Sequence, residues 1–261
     1  MCSFLFQLSD FYLFALLCFV SITISIASIF LVKRFIPLEL RYKDNPVIGN
    51  VGAIISLIYG VLAGLTALYL INNITYTTDA IQREANAVAN TYRDSQWLKE
   101  PIRTNIKTET KNYLSAVINT EWSLMKQGKD LDKEGDKIID KMAKQLLTAY
   151  RVANNSEVLI LRDMLGSIRA LYDARQQRIQ MSFSELSPSI WIVILIGAFL
   201  TIVINYFFGM NFYLHILTVC FATLMSISMV FLLVTLSRPF QGGFVIDASA
   251  FQSVLTTIEK E

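Results

Sequence analysis

Three runs of this chain carry no formal charge, and they constrain it more than any other feature. Phe11 to Val32 has no Asp, Glu, Lys or Arg, nor does Val47 to Ile71, nor the long run from Leu186 to Ser237. A bilayer core of about 30 Å needs about 20 apolar residues as helix. The first two runs each supply one crossing. The third supplies two, because Phe208-Gly209-Met210-Asn211 interrupts it. Membrane helices are therefore expected near 11–33, 47–72, 190–208 and 212–236. With 54% hydrophobic and 17% charged residues, the whole chain is too apolar for an ordinary soluble domain. The first run lacks a basic segment before it and a small-residue cleavage pattern, so it reads as a retained anchor rather than a signal peptide.

Residues 73–187 are different. They hold 17 Lys/Arg and 15 Asp/Glu, interleaved, with few Gly and Pro. No basic block points to nucleic acid. Apolar residues recur at helical spacing, as in Ile81, Ala85, Val88, Tyr92 and in Val158, Leu161, Leu165, Ile168, Tyr172, Ile179, where Arg175 fills one slot of the seam. Four helices are expected, near 74–98, 101–127, 133–151 and 155–186, with a turn at Gln127-Gly128-Lys129-Asp130. The first and last are expected to continue straight from membrane helices. The expected fold is all-α: a membrane helix pair in 1–72, a helical extramembrane domain in 73–187, a second pair in 188–237 and a tail in 238–261.

Chemistry is sparse. Cys2, Cys18 and Cys220 share no close spacing, and the single His215 sits in an apolar helix. There is no P-loop, nucleophile elbow or paired-histidine motif. No enzyme activity, metal or cofactor is expected.

Two features of the second membrane helix suggest a site. Gly52, Ser56, Gly60 and Gly64 form a four-residue stripe of small side chains that would seat the helix against a neighbour. Ile54, Ile58, Leu62 and Leu65, with Val61, form a bulky face that could narrow a pore by dewetting if several copies ring an axis. Lipid contact is the competing fate of that face. In the extramembrane domain, Glu84 and Arg175 form a candidate buried ion pair.

A series of short motifs adds to this. Asp44-Asn45 precedes the second membrane helix, which contains Tyr59. Glu84-Ala85, Thr91-Tyr92-Arg93, Tyr113, Glu121-Trp122 with Met125, and Ala174-Arg175 with Arg178 follow. Pro188 and Trp191 open the third membrane helix and Phe208-Gly209 close it. The fourth ends in Ser237-Arg238-Pro239-Phe240, with Gly242 beyond. In order and spacing this series resembles the bestrophin-like family of bacterial membrane proteins, from about Asp44 to Phe251. Ser237 departs from the family, which usually has an acidic residue there. The resemblance implies a pentameric homo-oligomer in a bacterial inner membrane, conducting an anion such as chloride, with the helical domain in the cytoplasm. Lys33, Arg34, Arg41 and Lys43 argue the opposite orientation by the positive-inside rule. A non-conducting scaffold or sensor, binding a partner through its helical domain, is the alternative. A transporter lacks the expected inverted repeat.

Overall fold

The computed structural model describes residues 10–35, 42–182, 186–240 and 246–260, and among these it is helical with no strands. The helices are α1 (Asp10–Phe35), α2 (Asn45–Ser95), α3 (Ile102–Ser115, continued by a π-helical segment Ala116–Glu121 and a last turn Trp122–Lys126), α4 (Glu134–Tyr150), α5 (Asn155–Ser182), α6 (Pro188–Tyr206), α7 (Phe212–Leu236) and α8 (Ser249–Lys260). The chain divides into two compact units, 1–72 with 185–244 and 73–184 with 245–261.

The first unit holds the four segments long and apolar enough to span a membrane: α1, the first part of α2, α6 and α7. In such a solvent, helices associate through close packing and hydrogen bonds rather than through hydrophobic drive. Both are present. Ile29, Tyr206 and Val219 form a buried cluster between α1, α6 and α7. Ser25 and Thr223 hydroxyls lie 2.9 Å apart, and the Tyr206 hydroxyl donates to Ser25 at 3.2 Å. His215 Nε2 is 3.0 Å from the Asn205 carbonyl, so the single histidine joins α7 to the end of α6. Asn205, costly in hydrocarbon unless paired, donates back to the Thr201 carbonyl at 2.7 Å.

The second unit is a bundle of the remaining part of α2 with α3, α4, α5 and α8. The seam of α2 buries Ile81, Ala85, Val88 and Tyr92 as the periodicity requires. The helix ends follow local chemistry. Gly128 adopts φ 63°, its N–H bonds Met125 O and the Lys129 N–H bonds Leu124 O, which closes α3 with a left-handed glycine. Asn154 and Glu157 cap α5 reciprocally: Glu157 N donates to Asn154 Oδ1 at 3.0 Å and Asn154 N to Glu157 Oε2 at 3.3 Å.

The structure departs from expectation in two places. The segment after residue 245, expected as part of a tail, carries α8 and packs into the second unit with Phe251 fully buried. The seam of α5 runs through Leu161, Met164, Ile168, Leu171, Arg175 and Arg178. Leu161, Ile168 and Arg175 fall as expected, but the positions between and after them lie one residue earlier, so Met164, Leu171 and Arg178 are buried rather than Leu165, Tyr172 and Ile179, and Tyr172 is exposed. The expectation that α2 continues beyond its apolar part holds, as one helix of 51 residues. Whether α5 joins α6, and the placement of Cys2, Arg41 and Gly242, lie outside the described residues.

Candidate functional site

In the first unit α2 has two contrasting faces. The buried face is Gly52, Tyr59, Ala63, Thr66, Ala67 and Leu70. Tyr59 packs on α6 at Gly197: a Cβ placed there would be 2.7 Å from the Tyr59 ring. The Tyr59 hydroxyl donates to the Ser226 carbonyl on α7 at 3.4 Å. Gly52 also faces α6: a Cβ placed there would lie 3.4 Å from the Ile204 side chain.

Of the small-residue stripe, only Gly52 lies in this seam. Ser56, Gly60 and Gly64 are exposed, and nothing lies within 4 Å of a Cβ at Gly60 or Gly64. The reason is geometric. Each four-residue step rotates about 40° around an α-helix, so three steps carry Gly64 about 120° from Gly52. The glycine that permits close approach is Gly197, on the partner helix. Beyond the open stripe, Ile54 (59% exposed), Ile58 (63%), Val61 and Leu65 extend the uncovered face, while Leu62 is half-buried at its edge.

A polar clip fixes the start of α2. The Asn45 side-chain amide donates to Gly209 O at 2.8 Å and its Oδ1 accepts the Gly209 N–H at 2.8 Å, a two-point match to one backbone residue. Two separated motifs, Asp44-Asn45 and Phe208-Gly209, thus meet. At the end of α7, Phe240 of the Arg238-Pro239-Phe240 motif is buried, and the Ser237 hydroxyl donates to the Val234 carbonyl at 2.8 Å.

The second unit buries a connected charge network. Arg178, with no solvent exposure, donates to Glu84 through Nε at 2.7 Å and Nη2 at 2.9 Å. Its Nη2 also donates to Glu121 Oε2 at 2.8 Å and its Nη1 to Met125 Sδ at 3.4 Å. Arg175 donates through Nη1 to Glu121 Oε1 at 2.6 Å and through Nε to Asp136 Oδ1 at 2.8 Å. The Tyr113 hydroxyl donates to Glu84 Oε1 at 2.6 Å. Trp122 and Phe251 lie under the Arg178 guanidinium, with ring centroids 5.6 and 5.8 Å away. Burial disfavours the charge on both arginines, but acidic neighbours reverse this, Glu84 foremost for Arg178, and the guanidinium groups titrate above their ordinary range. Burial first, then the Glu84 carboxylate, hold the Tyr113 phenol well above its ordinary value near 10.

The expected Glu84–Arg175 pair is therefore replaced. Glu84 pairs with Arg178, one turn further along α5, and Arg175 turns to Glu121 and Asp136. Glu121 reaches both arginines from the π-helical segment, whose wider turn keeps Tyr113, Val117, Glu121 and Met125 on one buried face. Gly135 completes the fit: a Cβ there would be 2.6 Å from both the Arg175 guanidinium and Glu121 Oε1. Arg178 and Glu121 belong to the motif series in the sequence. Asp136, Gly135 and the Tyr59–Gly197 contact have no local signal, since each depends on a residue from another helix.

The sequence as a whole matches the description of the Bestrophin-like domain over residues 17–251. This chain belongs to the bestrophin-like family. No curated protein matches it. The fold of this bestrophin-like protein is similar to that of a crystallised bacterial bestrophin homologue from Klebsiella pneumoniae, at 10% identity and a TM-score of 0.70, covering 93% of this chain and 97% of the other. A variant of that homologue aligns at 10% identity with a TM-score of 0.70, covering 93% and 98% of the two chains. Together, the family and the four apolar helices make this bestrophin-like chain an integral membrane protein.

Proposed function

We propose that this protein is an oligomeric ion channel in which copies of α2 surround a conducting axis. One observation carries the reading: α2 presents a continuous uncovered face in which space-leaving Gly60 and Gly64 lie beside bulky Ile54, Ile58, Val61 and Leu65. Ringed by identical faces, the bulky residues form a hydrophobic constriction that passes ions only when it wets. The family resemblance supplies the rest of the proposal: a homopentamer, an anion such as chloride as the permeant ion, a bacterial inner membrane as the location, and the helical second unit on the cytoplasmic side.

Chloride efflux from liposomes reconstituted with the purified chain tests this. Efflux that scales with protein and is lost on blocking the α2 face supports the channel. An assembled protein without efflux, under gradients of chloride and of other ions, replaces it with a membrane scaffold.

A further inference from the structure

The second unit contains a cavity whose lining includes none of the residues of the buried charge network. It has a volume of about 280 Å³ and lies between the turn after α2, the start of α3 and the α4–α5 connection. Leu98, Ile102, Ala149, Ile160 and Leu161 contribute to its apolar wall. At the mouth, Trp97 and Val152 are 67% and 85% exposed, an apolar rim held in water. An ion pair, Lys99 to Glu157, lies at the same rim. A concave apolar body with a few polar groups at one edge is the common form of a small-molecule site, and this volume falls just below the usual range of about 300–1,000 Å³, which suits a small ligand.

The polar groups also decide the charge of the ligand. Glu157 has a structural task besides Lys99, because it accepts the Asn154 N–H at the start of α5. Glu100, the other rim carboxylate, accepts the Thr104 N–H and hydroxyl. Lys99 is different: its side chain is 76% exposed and Glu157 is its ion-pair partner. An ammonium carries three donors, so it can accept a second carboxylate without breaking either cap. We propose that this cavity binds a small amphipathic carboxylate, its aromatic or branched body among the apolar wall residues, its rim covered by Trp97 and its carboxylate on Lys99.

Indole-3-propionate, with one ring system and one carboxylate, is a suitable probe, and the uncharged indole-3-propionamide is its control. Titration calorimetry on the full chain in lipid nanodiscs is expected to show saturable binding of the acid, with Kd in the range of ~10–1000 µM for a ligand of this size. Ala153→Trp, which fills the cavity from the α4–α5 connection, is expected to abolish it. Lys99→Gln, and separately the amide probe, are each expected to weaken binding about tenfold, as for loss of one charge-assisted hydrogen bond near solvent. No saturable binding, or binding unchanged in Ala153→Trp, overturns the site. Equal affinity of the acid and the amide overturns the assignment of a carboxylate ligand. Lys99→Gln leaves the apolar wall untouched, so it remains informative if Ala153→Trp fails to fold.

Discussion

Arg178 and Glu84 have essentially no solvent exposure, which makes their pairing a matter of stability rather than surface ornament. Desolvating two charges is costly, and removing one partner leaves the other uncompensated at ~3–5 kcal/mol. Arg178→Met is therefore expected to lower the thermal stability of the second unit by that amount. In a double-mutant cycle, Glu84→Gln with Arg178→Gln is expected to be strongly non-additive, while Glu84→Gln with Arg175→Gln couples less, since those two side chains share no direct bond and connect through Arg178 with Glu121 and through Tyr113. Equal coupling in both cycles would contradict the pairing. Gly135 tests the same network by sterics. Alanine is the better helix former by about 1 kcal/mol, yet its Cβ would intrude 2.6 Å from Arg175 and Glu121. Gly135→Ala is expected to destabilise despite its propensity, and a stabilised variant in thermal melts would refute the close fit. Tyr113 adds a pH dependence. Its folded pKa is raised, so its contribution is fully present below the unfolded value of about 10 and is lost as pH rises beyond it. Tyr113→Phe is expected to flatten that alkaline loss in pH-dependent melts.

At the scale of elements, the two candidate faces of α2 make opposite demands. Gly197→Leu places a side chain into the Tyr59 ring and is expected to disrupt packing of α2 on α6, by ~1–3 kcal/mol or more, seen as loss of folded protein in detergent. Gly60→Leu meets open space within the chain, so the subunit is expected to fold, and the effect falls on efflux, which should drop. Ile58→Ala is expected to fold and to raise anion leak. A misfolded Gly60→Leu subunit, or unaltered efflux in both variants, would separate α2 from the conduit. α8 is the other element with a clear demand. Phe251 packs edge-on against Trp122, 5.7 Å between centroids, and the Trp122 indole N–H donates to the Ile246 carbonyl at 3.3 Å. Phe251→Ala opens a cavity against Trp122 and Arg178 and is expected to cost ~3–5 kcal/mol, read by melting of the second unit.

For the molecule as a whole, the segments of α1, α2, α6 and α7 in the first unit leave most of their apolar surface uncovered within one chain. Lipid accounts for part of this and neighbouring copies, in the proposed channel, for the rest. Mass measurement in native detergent is expected to give a multiple of the 29.6 kDa chain. A stable monomer would remove the axis that α2 is proposed to line. The second unit is discontinuous in sequence, so excising 73–184 alone discards α8 and exposes Trp122 and Phe251's site.

The sequence alone determined the four membrane spans, because the absence of charge over about 20 residues is a local property that no tertiary contact can override. It also determined the helices of 73–187 to within a few residues, through apolar spacing, and the family, through the order of its motifs. What it could not determine was phase and partner. The stripe at Gly52, Ser56, Gly60 and Gly64 looks like one face until the 40° drift per step is set against the position of α6. Arg175 interrupts a seam visible in sequence and is buried there, but the next seam position is Arg178 rather than Ile179, and it is Arg178 that reaches Glu84. The π-helical turn that lets Glu121 join both arginines, the room left by Gly135 and the return of α8 to the second unit all arise from packing between distant segments. Only the tertiary structure decides such contacts, because each is fixed by the shape of a side chain far away in the chain.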